Sequence, residues 1–249
     1  MPPRRPPADP PPTPATAPLL PHVSVDCAVF GFHDGALKIL LLKWKVVGRW
    51  SLPGGFVGRD EPVDRAAERV LRERTGLERI YLEQFHAFGD TDRGEGLARE
   101  FEAAVAQPGL IQSWMTERVV SIGYLALVDF ARAVPTPDAL SDECRWWDVG
   151  EHPALVFDHD RIVERARAAL RDRSRYLPLG ANLLPERFTL PELQRLYEAI
   201  EGRALDRRNF RKRMLEAGVV EQLPERKTGG AHRAPYLYRF RADALPDPA

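Results

Sequence analysis

Apolar and polar residues fall into blocks whose period changes along the chain. The first long apolar run, VSVDCAVFGF from Val23, is followed by LKILLLKW, with His33, Asp34 and Gly35 between them. Two such runs parted by a short polar, glycine-bearing turn predict a hairpin of buried strands. After SLPGGF the period lengthens: Ala66, Ala67, Val70 and Leu71 recur at helical spacing, and Thr75 and Gly76 close the segment. This predicts an amphipathic helix with a glycine C-cap. VVSIGYLALVDF, from Val119 to Phe130, is rich in β-branched and aromatic residues and predicts another strand of the same sheet. Between Arg93 and Arg118 lies an apparent insertion, about 94–117, with Leu97, Phe101, Ala104 and Val105 at helical spacing before Pro108 and Gly109. From Asp160 to Tyr176 the charged segment containing RIVERARAALRDRSR keeps one Ala/Leu face, as a connecting helix packed on one side would.

The C-terminal pattern is sharper. Thr189 and Glu192 form a Thr-x-x-Glu capping box ahead of Leu193, Leu196, Tyr197 and Ile200, and Gly202 ends that helix. Asp206 caps a second helix, with Leu205 and Phe210 as a hydrophobic staple, and Phe210, Met214 and Ala217 are expected as its buried stripe before Gly218. VVEQLPERKTGGAHRAPYLYRF then reads as two short strands around a Lys-Thr-Gly-Gly turn. Helix, helix, hairpin is the order of a winged helix-turn-helix. On the second helix Arg208 and Lys212 fall opposite the apolar stripe, with Asn209 and Arg211 on its flanks. Such a face suits base readout, while Arg207 and Arg213 are better placed for phosphates. Lys227, Thr228, His232 and Arg233 on the wing would touch backbone or minor groove, and Thr189 joins the expected DNA-binding set. For the helix taken alone, the alternative is a solvated basic face; for His232 it is capping or packing.

Charge sharpens this division. The whole chain has 36 Lys/Arg and 36 Asp/Glu, yet residues 201–241 hold eleven basic against five acidic residues. The positive excess is confined to the module that would meet a phosphate backbone. Ten of the 23 prolines lie in the first 21 residues, where little can be buried, so 1–21 is expected to be a disordered tail. Cys27 and Cys144 stand far apart without a CxxC or a Cys/His cluster, which argues against a zinc site and for a reducing, cytoplasmic compartment. No apolar run reaches the ~20 residues a bilayer demands, so no membrane partner is expected.

The stretch GFVGRDEPVDRAAERVLRERTGL, Gly55 to Leu77, resembles the Nudix box. Gly55, Glu61, Arg69, Leu71, Glu73, Gly76 and Leu77 match its pattern, and Trp50, Leu52, Pro53 and Gly54 precede it as is usual in the family. The resemblance implies that two glutamates four residues apart on the box helix hold a catalytic magnesium. Those positions are Val70 and Arg74 here. Valine offers no oxygen ligand and arginine brings a positive charge, so neither metal nor cofactor is expected and the domain is read as catalytically inactive. Glu73 is expected to pair with Arg69, one turn away, and to brace the helix against its loop. Magnesium enters only with the alternative, an active pyrophosphohydrolase of the ADP-ribose class that recruits carboxylates such as Glu61 or Glu143. The expected ligand site comprises Arg49, Trp50, Gly54, Gly55, Arg69, Glu73, Phe85, Asp90 and Arg93, an aromatic and arginine set suited to a base and a pyrophosphate. Packing is an equal reading of Trp50 and Phe85, and Trp146 and Trp147 are read as structural.

A degenerate Nudix domain followed by a winged helix resembles the Nudix-related transcriptional regulators typified by the NAD-metabolism repressors, the NrtR type. RVLRERTGL, FDHDRIV, LDRRNFRKRMLEAG and RKTGGAHR carry the resemblance across residues 22–241. It implies an α+β chain: a Nudix α/β/α sandwich with a mixed sheet over 22–158, a linker helix over 159–180 and a winged-helix domain over 181–242. It also implies a homodimer on double-stranded operator DNA, a reading that the small surface of one winged helix supports. The implied effector is ADP-ribose or a related nucleotide sugar, sensed without hydrolysis; a sugar-sensing regulator of the same architecture is the further alternative.

Overall fold

The computed structural model describes residues 18–45, 47–78, 80–93, 117–133, 135–138, 140–175, 178–227 and 234–242. Its centre is β1 (Leu19–His33), eight of whose consecutive residues, Ser24 to Gly31, are buried. A strand covered on both faces reads as a continuous apolar run, which is why VSVDCAVF shows no alternation. Along one edge β1 pairs in parallel with β6 (Val120–Leu127), from Val23 opposite Val120 to Phe30 opposite Leu127. Along the other it pairs antiparallel with β4 (Gly54–Gly58) near Ser24 to Asp26 and with β2 (Ala36–Trp44) near Phe30 to His33. β3 (Trp50–Ser51) and β7 (Ser141–Asp148) both pair with β2, and β5 (Tyr81–Phe88) closes the far edge on β6. The sheet is therefore mixed and seven-stranded, ordered β3-β2-β1-β6-β5 along its main path.

Helices cover both faces. α1 (Val63–Thr75) lays Ala66, Ala67, Val70 and Leu71 on Val25, Cys27, Val29 and Leu40. On the other face α2 (His159–Arg173) lays Ile162, Val163, Ala166 and Leu170 on Ala28, Phe30, Ile39 and Leu41. This second core does not stop at the sheet. It runs on through Leu179 and Leu183 to Leu193, Leu196 and Tyr197 of α3 (Leu190–Glu201) and to Phe210 and Met214 of α4 (Arg207–Glu216). A three-stranded sheet, β8 (Phe188–Thr189), β10 (Tyr236–Phe240) and β9 (Val220–Arg226) in that order, completes a winged helix.

Several boundaries differ from the sequence pattern. β1 begins at Leu19, inside the segment read as tail, because Leu19 pairs with Gly58 across the sheet. β6 stops at Leu127, and Asp129 caps a 3-10 turn over Phe130–Arg132 by accepting from the Ala131 N–H. α2 ends at Arg173 with Ser174 as its C-cap, and a separate 3-10 turn follows at Leu179–Asn182. Ala217 is exposed rather than part of the buried stripe, because α4 has already ended at Glu216. The insertion over 94–116 and the tail over 1–17 lie outside the described residues. Among the described residues no helix is long and apolar enough to cross a membrane.

Candidate functional site

The glycine loop and α1 are locked by one arginine. Arg69 grips Glu61 through Nε at 2.7 Å and Nη2 at 2.8 Å, donates from Nη2 to the Phe56 carbonyl at 2.9 Å, and reaches Glu73 from Nη1 at 3.0 Å. Glu61 also accepts the Gly58 N–H at 2.9 Å. Burial alone would raise the Glu61 carboxyl, but the Arg69 fork and the Gly58 N–H together hold it below the usual carboxylate range. Arg69 thus braces the helix against its loop through Glu61 and the Phe56 carbonyl, while its pair with Glu73 runs along the helix itself.

The two positions that carry metal-binding glutamates in the hydrolase pattern are occupied otherwise. Val70 is 1% exposed, and its Cγ2 lies so close to Gly55 that a Cβ there would stand 2.9 Å away. Arg74 turns back onto the loop, donating to the Gly54 carbonyl at 3.1 Å and pairing with Asp138. A guanidinium on the loop carbonyl and a methyl group against Gly55 do not fit a divalent cation. Among the described residues no three His, Cys, Asp or Glu side chains come together as a metal site.

The residues expected to line a ligand site are not brought into one cluster. Trp50 is half-buried on β3, edge-on to Trp147 with ring centroids 5.2 Å apart, and the Arg145 guanidinium lies 5.5 Å from Trp50 and 4.0 Å from Trp147. Arg49 donates to the Leu155 carbonyl at 3.3 Å. Phe85 sits on β5, edge-on to Phe88 at 5.9 Å. β3 and β5 stand at the two ends of the sheet path. Both rings pack on the α2 face, whereas Arg69 and Glu73 belong to the α1 face. Asp90 pairs with Arg161 of α2. Arg93 corrects the expectation most clearly: its side chain is 6% exposed, and it binds Asp26 at 3.0 Å, Asp158 at 2.8 Å and the Val119 carbonyl at 2.9 Å. Its donors are engaged inside the fold instead of being offered to a ligand.

Sequence reasoning passed over the partners of Arg93. Asp26 is a lone carboxylate inside an apolar strand and is 5% exposed; Gly54 must lack a side chain because a Cβ there would collide with it. An Asp within a run such as VSVDCAVF was the available signal, since a charge is buried only when paired.

In the winged helix, α3 begins with the capping box: Glu192 N–H donates to the Thr189 hydroxyl at 3.4 Å, and the Glu192 carboxylate accepts the Thr189 N–H at 2.8 Å. Thr189 is 3% exposed, so its hydroxyl caps α3 and does not face outward as expected of a DNA contact. Lys227 is held by Glu192 at 2.5 Å. Burial would raise the Glu192 carboxyl, but Lys227 and Thr189 hold it below its ordinary value. Asp206 caps α4 by accepting the Asn209 N–H at 2.8 Å. Phe210 and Met214 point inward, Phe210 meeting Tyr197 at 5.4 Å between centroids, while Arg207, Arg208, Asn209, Arg211, Lys212 and Arg213 are exposed. Arg213 leans over the Phe210 ring at 5.6 Å, and Lys212 lies 3.8 Å from Glu216. Thr228, His232 and Arg233 lie outside the described residues. Arg226, which the sequence reading passed over, stacks on Tyr236 at 3.8 Å beside the wing.

The description of the NUDIX domain matches residues 20–166, and that of the NrtR DNA-binding winged helix domain matches residues 180–240. The chain is 34% identical over 227 residues to the ADPR responsive transcriptional repressor NtrR of Acinetobacter baylyi, covering 88% of this chain and 82% of that protein. It is 29% identical over 149 residues to an ADP-ribose pyrophosphatase of Methanocaldococcus jannaschii, covering 59% of this chain and 73% of that one. The crystal structure of Shewanella oneidensis NrtR complexed with a 27mer DNA superposes with a TM-score of 0.71 at 28% identity, covering 89% of this chain and 94% of that chain.

Proposed function

The chain belongs to the NrtR-type Nudix regulators, a Nudix domain joined to a winged helix, and from that premise we propose that it is a DNA-binding transcriptional repressor whose Nudix domain senses ADP-ribose or a related nucleotide sugar without hydrolysing it. The observation that carries the absence of hydrolysis is the pair Val70 and Arg74. One is sealed against Gly55 and the other is tied to the Gly54 carbonyl and Asp138. A loop so held can accept a diphosphate through its backbone N–H groups, yet Val70 and Arg74 offer it no carboxylate to hold a cation against the phosphates.

Trp50, Arg49 and the loop at Gly54 and Gly55 form the ligand-facing set, with Arg69 and Glu73 fixing the loop's shape. Phe85 lies against Gly123, beside the Asp26 that sits beneath Gly54, and Asp90 is paired with Arg161. Arg207, Arg208, Asn209, Arg211 and Lys212 of α4 face the operator, with Lys227 on its phosphates. The protein works in the cytoplasm as a homodimer, because two winged helices on two half-sites bury the surface that operator affinity demands. The functional units are residues 22–158, the linker over 159–180 and the DNA module over 181–242.

Titration of the purified protein with ADP-ribose in EDTA, followed by incubation with magnesium and analysis for AMP, tests the sensing half. Heat of binding in EDTA and intact ADP-ribose afterwards are expected. Turnover with magnesium would overturn the reading and favour the activity named for the Methanocaldococcus jannaschii relative.

A further inference from the structure

Strand β3 ends where the glycine loop begins, and it is fastened to the start of α2. Trp50 forms a parallel bridge with Leu155, and its carbonyl accepts the Val156 N–H at 2.9 Å. Two residues on, the Leu52 N–H donates to Nδ1 of His159 at 3.0 Å. His159 is 3% exposed. Burial pushes its pKa down, with Arg93 acting in the same direction against the pull of Asp26, Asp158 and Asp160, so the ring is neutral. An Nδ1 that accepts a backbone N–H carries no proton itself, which leaves the proton on Nε2, 3.5 Å from Asp26 Oδ1.

Asp26 then ties the histidine to the rest of the domain. It lies directly beneath Gly54, accepts the Ser121 hydroxyl at 2.5 Å, and binds Arg93, which reaches on to Asp158. The loop, β1, β6, the base of the insertion and the first turn of α2 thus meet in one buried polar cluster. The residue just before that turn, Phe157, holds φ at 52°, a left-handed conformation rarely adopted by a residue with a bulky side chain. At its other end α2 touches the winged helix, where Arg171 Nε approaches the Ile200 carbonyl of α3 at 3.4 Å.

We propose that the cluster of His159, Asp26, Arg93 and Asp158 is the joint that converts occupancy of the glycine loop into movement of the winged helix, with α2 as a rod pivoting at Phe157. The proposal rests on the reading that ADP-ribose binds at that loop. Displacement of Leu52 by the ligand opens its bond to His159, and the loss of that bond changes how the start of α2 is held. The joint therefore has two discrete arrangements, a clamped and an opened one, which ligand and DNA bias in opposite directions.

The test compares the wild type with His159→Phe, which keeps a ring but removes the acceptor, and His159→Asn, which restores an acceptor near the Nδ1 position. For each, ADP-ribose affinity is measured without DNA, and DNA affinity is measured with and without saturating ADP-ribose. In the wild type the effector changes DNA affinity by about 5- to 150-fold. His159→Phe is expected to lower DNA affinity without effector to about the effector-saturated level of the wild type and to tighten ADP-ribose binding, so that the effector's further influence on DNA binding falls toward none, and His159→Asn to restore the wild-type pattern. A wild-type effector response in His159→Phe overturns the joint. No response in the wild type itself overturns the sensing reading, and the joint with it. Hydrogen exchange of the wild type is independent of how the variants fold: ADP-ribose should raise exchange at the Leu52 amide, and unchanged protection there overturns the joint as well.

Discussion

At the residue scale, the chemistry sits where a residue departs from its surroundings. Val70 and Arg74 were legible through the resemblance to the Nudix box, which marks the two positions where the family carries glutamates. His159 was legible only as part of the FDHDRIV match; its acceptor bond to Leu52 joins residues 107 apart in sequence. Its burial makes a sign prediction. The ordinary histidine value is 6.5 and the folded value is lower, so the unfolded chain binds the extra proton first. The full stability is present above about pH 6.5 and is lost as pH falls through the folded value. Between the two values, urea titrations should show the wild type losing about 1.4 kcal/mol per pH unit relative to His159→Asn. Parallel pH profiles for the two proteins would contradict a buried neutral imidazole.

At the scale of elements, legibility follows locality. α3 and α4 were readable because their caps and apolar stripes are written within a dozen residues: Thr189 with Glu192, Asp206 with Asn209, Phe210 with Met214. β7 was not. SDECRWWD lacks clean alternation, and it becomes a strand because Lys38 to Trp44 of β2 supplies its partners from about a hundred residues away. Trp146 and Trp147 then fall on opposite faces of the sheet, beside the α1 and α2 cores respectively. Thr189 shows the converse: its role as cap was legible, and that role is what removes it from the DNA-facing surface. The exposed face of α4 carries the next prediction. Arg208→Ala or Asn209→Ala should cost about 1–3 kcal/mol of operator binding and relax discrimination at one base pair, because each side chain can read a base edge. Lys227→Ala should weaken binding to all sequences alike and lower the salt slope by about one. Binding assays on operator and scrambled DNA across a salt series separate these outcomes; equal loss on both DNAs for Arg208→Ala would make α4 a phosphate clamp instead of a reader.

At the scale of the whole molecule, the continuous core matters more than either unit. α2 buries one face on the Nudix sheet, and the same apolar cluster extends into the winged helix, so displacement at the loop end of α2 is felt at α3. The sequence suggested a solvated connector with one packed face; it did not reveal that the packed face joins two cores into one, because that depends on which surfaces meet in space. The most direct measurement is fluorescence anisotropy of the full chain on the DNA upstream of its own gene, titrated with ADP-ribose first in EDTA and then with magnesium. Tight, salt-sensitive, sequence-preferring binding that ADP-ribose reverses equally in both conditions is expected. Reversal that needs magnesium, or no preference for that DNA over a scrambled sequence, would contradict a repressor that senses ADP-ribose without hydrolysing it.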